Sequence, residues 1–258
     1  MVNLVEFNNA KIEINGVILF ENLNFVVEKF RAVSIVGNGK SVLLKAMVNP
    51  SITSNIKIAN ANLDKNSNNL YKKIAVVSAD ANFLCDTVCD ELTFPLINFN
   101  KTRDISENEV LDILKYFDMP SLINKKIVTL SKEEQLMIKT LSYLVIKPDV
   151  LAIDDLFIYL SEYNKEKIIS YLKVNAITLV LTTNDMEDTL YTDYIYIING
   201  GKVVCEGLIK DVYKEEQLLK SLGVGLPFVA DLSTQLQYYD LVNKIYLDVK
   251  ELVGDVWK

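Results

Sequence analysis

Five consecutive residues, Gly37-Asn38-Gly39-Lys40-Ser41, carry the side chains that grip a phosphate on a loop too short to wrap one. A phosphate-binding loop is written G-x-x-x-x-G-K-[ST]. Its glycines let backbone N–H groups curl around the β-phosphate, its lysine reaches the outer phosphates, and its hydroxyl holds Mg²⁺. Here one residue separates the glycines where the pattern has four. Lys40, Ser41 and the helix start at Val42 remain, so an anion could still meet a helix N-terminus there. The nucleotide-binding candidates are therefore Gly37, Asn38, Gly39, Lys40, Ser41 and Val42. A second constellation is Asp154-Asp155, closing the apolar run DVLAIDD. Asp154, with Ser41, is the candidate holder of Mg²⁺, and Asp155 stands where a catalytic carboxylate would polarise water. Taken singly, each motif also fits a structural reading: a strand-to-helix turn, and a common acidic strand end.

The elements that must position these residues are short β-branched runs with helical segments between them. RAVSIVG (31–37), KIAVVSA (73–79), DVLAIDD (149–155), AITLVLTTND (176–185) and YIYIINGGKVVCEG (194–207) are near-continuously apolar. Such runs are expected of parallel strands covered on both faces. Asn199, Gly200 and Gly201 predict a hairpin turn. LVEF, KIEI and NFVVE near the start predict an antiparallel β portion. Residues 83–146 read as mostly helical, with Ser106–Glu109 and Ser131–Glu134 as two capping boxes. The first would be followed by Val110, Leu111, Leu114 and Phe117 on one face. The tail reads as helices broken at Gly223, Gly225 and Pro227. Its stripe Leu241, Ile245, Asp248, Val249 and Leu252 predicts either a docking or dimer contact or simple core packing.

Composition narrows the chemistry. The 258-residue chain has no histidine, so a His base, His ligand or His triad is excluded. Its net charge of −7 argues against a nucleic-acid partner, which demands a basic stripe. Cys85, Cys89 and Cys205 are too few and scattered for a disulfide frame or a zinc site. No apolar run reaches the ~18–20 residues of a membrane span. A cytosolic protein without a signal peptide is the expectation.

The order of the motifs carries a family resemblance over essentially the whole chain. LSKEEQLMIKTLSYLVIKPDVLAIDDLFIYLS (130–161) resembles the signature-to-Walker-B region of ATP-binding cassette (ABC) proteins, and TTNDMEDTLYTDYIYIINGGKVVCEG (182–207) resembles their switch segment and closing hairpin. CDTVCDELTFPLIN (85–98) and LLKSLGVGLPFVADLSTQL (218–236) look more narrowly like the ATP-binding subunits of energy-coupling-factor transporters, importers of vitamins and metal ions. The resemblance implies an α/β fold of the P-loop NTPase type: a mostly parallel sheet with helices on both faces and an antiparallel β portion. It implies a nucleotide-binding core over 1–82 and 147–207, a helical subdomain over 83–146 and a C-terminal helical extension over 208–258. It also implies Mg-ATP, a second ABC subunit in a homo- or heterodimer, a transmembrane transporter component, and a place on the inner face of the cell membrane.

Carried over residue by residue, the family's chemistry is largely missing. The aromatic that stacks on adenine falls near Ile14, and the Gln after the second core strand falls at Ser78 or Ala79. The signature, Leu130-Ser131-Lys132-Glu133-Glu134, has Lys132 and Glu133 where the family has two glycines that meet a γ-phosphate. Glu133 would repel that phosphate, while Ser131 and Glu134 still cap the helix. The catalytic Glu becomes Asp155, the Asp of the next loop becomes Ser161, and the switch His becomes Asn184, which cannot exchange a proton near neutral pH. Mg-ATP is expected to bind weakly or not at all. Three readings follow: a pseudo-ATPase serving as structural or regulatory partner in an import complex; a slow but active Mg-ATP-hydrolysing subunit; or an unrelated α/β binding protein.

Overall fold

A computed structural model describes residues 2–58, 61–62, 73–80, 82–99 and 102–256. Two sheets carry the chain. β1 (Asn3–Ile14) and β2 (Val17–Glu28) form a long antiparallel hairpin. β4 (Ile56–Ile58) and β5 (Ala61–Asn62) extend it in the order β2-β1-β4-β5. The second sheet contains β3 (Val33–Gly37), β6 (Ile74–Ser78), β7 (Val150–Asp154), β8 (Thr178–Thr182), β9 (Tyr194–Asn199) and β10 (Lys202–Leu208). Its order is β10-β9-β3-β8-β7-β6, parallel throughout except for the β9–β10 hairpin. Gly200 and Gly201 make that turn with φ of 55° and 72°, the left-handed conformation a two-residue hairpin requires.

The continuous apolar runs are buried because both faces of the parallel sheet are covered. Along β7 and β8 the faces alternate. Val150, Ala152 and Val180 pack with Leu43, Leu44 and Met47 of α1 (Lys40–Val48) and with Phe7, Phe20 and Phe25 of the antiparallel sheet. Leu151, Ile153, Leu179 and Leu181 point the other way, into a core shared with four helices. These are α2 (Val88–Asn98), α3 (Arg103–Tyr116), α4 (Lys132–Leu144) and α5 (Glu162–Val174). Beyond β10 lie α6 (Ile209–Val212), α7 (Glu216–Ser221), α8 (Phe228–Gln237) and α9 (Val249–Val256).

Two expectations are corrected. Ser106 does not start a helix: α3 begins at Arg103 behind Thr102, and Ser106 is buried one turn in, its hydroxyl donating to the Thr102 carbonyl at 2.9 Å. Val110, Ile113, Leu114 and Phe117 form the buried face, with Leu111 half-buried. The tail stripe is not one helical face either. Residues 241–248 are irregular, Leu241 and Val249 are exposed, and Leu252 packs inward against Val229, Val242 and Tyr246. Asp248 caps α9 by accepting from the Glu251 N–H at 3.0 Å, which explains a carboxylate among apolar neighbours.

Candidate nucleotide site

The adjacency of β3, β8 and β7 brings three segment ends together. Lys40 heads α1 after β3, Asp154 ends β7 with Asp155 just beyond it, and Thr182 ends β8 two residues before Asn184. Ser41 Oγ donates to Asp154 Oδ1 at 2.7 Å, and Thr182 Oγ1 donates to the same oxygen at 2.7 Å. Lys40 Nζ lies 2.9 Å from Asp155 Oδ2 and donates to Asn184 Oδ1 at 2.9 Å. The Asn184 amide reaches Asp155 Oδ1 at 3.4 Å, closing a ring. Asp155 is left-handed, with φ of 47°, and its N–H is held by the Thr182 carbonyl at 3.1 Å and hydroxyl at 3.2 Å. Asp is among the few residue types that tolerate this conformation.

Both glycines of the short loop are forced by close approach. Gly37 has φ of 107°, and a Cβ on it would sit 2.0 Å from the Ile198 carbonyl oxygen. Gly39, the residue before α1, has φ of 97°, and its Cβ would lie 2.8 Å from Phe20 Cζ. Only Asn38 separates them, and Val42 turns into the helix, half-buried against the core. Beside the loop is a cleft of about 180 Å³, lined by Asn38, Asn184, Asn199 and the tail residues Leu222–Gly225. Pockets for drug-sized ligands run to several hundred Å³.

The degenerate signature is equally self-occupied. Leu130 is buried, Ser131 accepts from the Glu134 N–H at 3.2 Å, and Glu134 Oε2 accepts from the Ser131 N–H at 2.8 Å, the capping box expected. Lys132 Nζ donates to the Ala79 carbonyl at 3.2 Å, just beyond β6. Glu133 turns into its own chain: Oε1 accepts from Ser161 N–H at 2.7 Å, Ser161 Oγ at 2.6 Å and Asn164 Nδ2 at 2.6 Å. The Ser161 bonds above all, then Asn164, hold its carboxyl below the usual carboxylate range. Ser161 is the N-cap of α5 but makes no side-chain cap bond of its own; Glu133, from another helix, accepts the Ser161 N–H that an acid at the third position would accept in a capping box.

Measured against the cradle that holds Mg-ATP in the resembled family, this site keeps some parts and lacks others. The loop has one residue between its glycines where the phosphate-binding pattern has four, and the Lys40 ammonium is matched by the Asp155 carboxylate. Ile14 ends β1 opposite Val17 and brings no aromatic face. What survives is the Ser41–Asp154 contact, the pair that would hold Mg²⁺. No group of three or more His, Cys, Asp or Glu side chains among the described residues could hold a metal alone. Thr182, Phe20 and Asn164 are the site residues that sequence reasoning missed. Thr182 had one signal, its place at a strand end two residues before the switch position.

Comparison with known proteins agrees with this architecture. Residues 20–157, just over half of the chain, match the ABC transporter family. The energy-coupling factor transporter ATP-binding protein EcfA1 of Mycoplasmopsis synoviae is 26% identical over 253 residues, covering 92% of each chain. The EcfA1 of Leuconostoc mesenteroides is 24% identical, covering 98% of this chain and 97% of its own. Among solved structures, cbiO1 from Clostridium perfringens, part of an ABC transporter complex, superposes with a TM-score of 0.74 at 21% identity, over 86% of this chain and 95% of that one. A dimeric ATP-binding cassette in a post-hydrolysis state, bound to ADP and phosphate, gives 0.69 at 23% identity, over 79% and 98%. With the match spanning the head of α1 and both aspartates, this chain belongs to the ABC transporter family.

Proposed function

We propose that this chain is an energy-coupling-factor-type cassette subunit that has given up ATP hydrolysis. In this reading it serves as a structural or regulatory partner of a second cassette subunit beneath a transmembrane component, on the inner face of the cell membrane. The division into a core (1–82, 147–207), a helical subdomain (83–146) and a tail (208–258) belongs to the same proposal. The observation that carries it is the head of α1: a loop of one residue between two glycines, followed by a lysine bound to Asp155 and Asn184. Hydrolysis needs that lysine on phosphate and a free carboxylate near water, and here each neutralises the other. The full-length EcfA1 relatives support the subunit type, and among the described residues no helix is long and apolar enough to cross a membrane.

One observation favours a second reading, a slow Mg-ATP-hydrolysing subunit: the intact Ser41–Asp154 contact. Titration of the purified protein with a fluorescent ATP analogue and Mg²⁺, beside a Lys40→Ala variant, separates the two. The proposal expects no saturable binding up to millimolar nucleotide. Micromolar binding that disappears in the variant would overturn it.

A further inference from the structure

Lys40 is only 7% exposed, and an ammonium so enclosed requires a counter-charge. In a cassette that handles nucleotide, phosphate is the anion that reaches this lysine. Here the carboxylate of Asp155 does, 2.9 Å away, steadied by the Asn184 amide that touches both partners. The neighbouring hydroxyls are spent in the same way, Ser41 and Thr182 both donating to Asp154. The donors at the head of α1 thus point at carboxylates of the chain itself.

We infer that Asp155 is the resident anion of the seat at the head of α1, a built-in stand-in for phosphate rather than a weakened catalytic base. This rests on the non-hydrolysing reading and goes one step further, because it names the group that balances the enclosed Lys40. Its backbone favours the role. The Asp155 N–H donates to both the carbonyl and the hydroxyl of Thr182, fixing a left-handed residue at the β7 exit, so the carboxylate is presented to Lys40 from a held backbone. The seat is therefore latent: with the carboxylate gone, it should accept an oxyanion from solution.

The test is thermal unfolding of the purified full chain in rising sodium pyrophosphate, against sodium chloride at matched ionic strength. Three variants accompany wild type. Asp155→Gly empties the seat and suits the positive φ. Asp155→Asn keeps the volume and removes the charge. Asp155→Gly with Lys40→Met removes the receiving cation. Without pyrophosphate both single variants should melt roughly 3–8 °C below wild type, less than for a fully buried pair because the side chain of Asp155 is 34% exposed. Pyrophosphate should raise the midpoint of Asp155→Gly with the logarithm of its concentration. Asp155→Asn should respond less, and wild type and the double variant not beyond the chloride control.

A glycine variant that ignores pyrophosphate would overturn the inference while leaving the loss of hydrolysis untouched. A wild type that responds as strongly would also overturn it, by showing the seat open. If Asp155→Gly cannot be purified, the presence or absence of any response in Asp155→Asn decides the matter. Nucleotide titration of wild type reads the functional proposal separately.

Discussion

Replacing Glu133 tests whether a motif residue has been given a new structural task. Its carboxylate oxygen accepts three hydrogen bonds, two from Ser161 and one from Asn164, at the first turn of α5. Hydrogen bonds to a charged acceptor contribute about 1.5–3 kcal/mol each when buried. This site is half-exposed, so water recovers most of that, and the loss is nearer a helix cap plus its favourable charge at a helix N-terminus. Glu133→Ala should then cost about 1.5–3 kcal/mol, a fall in melting temperature of roughly 3–10 °C for a chain of this size. Glu133→Gln, which keeps an acceptor oxygen, should lose about half as much. The sign with pH follows from the depressed acidity of Glu133. Its stabilisation is fully present above the unfolded carboxylate value near 4.5 and is lost as pH falls through the lower folded value. Calorimetry of wild type and Glu133→Gln from neutral pH to about pH 3 should therefore show the gap closing below the mid-fours. A gap under a degree at neutral pH, or one that ignores pH, would refute the capping role.

Other substitutions follow from the same structure. Asp188 is fully buried, with Lys165 at 2.8 Å and Thr183 at 2.9 Å, and burial pushes its carboxyl up despite those partners. Lys165→Met strands it and should cost about 3–5 kcal/mol by chemical denaturation; because a raised carboxyl favours the folded state at low pH, the deficit should shrink as pH falls. Gly37→Ala should be more damaging than Gly39→Ala in the same assay. At Gly37 the added carbon meets a backbone carbonyl, whereas at Gly39 it meets the tip of Phe20. Trimming that tip in a Phe20→Leu background should reduce the cost of Gly39→Ala, while Gly37→Ala gains nothing from it.

Local features were legible in the sequence, and contacts across the sheet were not. The Asn199-Gly200-Gly201 turn, the covered strands and the Ser131–Glu134 box each depend on residues a few positions apart, where spacing is the physics. Ser106–Glu109 shows the limit: S-x-x-E has the same spacing inside a helix as at its start. Only the Thr102 carbonyl, which receives the Ser106 hydroxyl, tells them apart. The tail stripe failed for a related reason, since helical spacing means nothing where 241–248 is not helical. At the site, the sequence supplied the residue types but not their pairing. Lys40 and Asn184 are 144 positions apart, and Glu133 and Ser161 are 28, and these meet because β3, β8 and β7 are neighbours and α4 abuts the start of α5. Spacing within one chain also cannot show that Glu133 turns inward.

Glu133 and Asp155 are two carboxylates at motif positions, each bound by donors of its own chain. A cassette that handles nucleotide leaves donors waiting for phosphate at two places, the head of α1 and the signature. Unmatched donors at a half-buried site are costly when the ligand never comes. In this chain a carboxylate stands at each place and is bound by the chain's own residues, Asp155 by Lys40 and Glu133 by the first turn of α5. Only Asp155 meets a donor that phosphate would reach; the donors on Glu133 belong to Ser161 and Asn164, so its contact steadies the start of α5 and fills no phosphate seat. On the non-hydrolysing reading proposed above, both contacts hold the cassette's shape without nucleotide. A chain with that role would serve through its surfaces, so the test of the reading lies in the partners those surfaces hold.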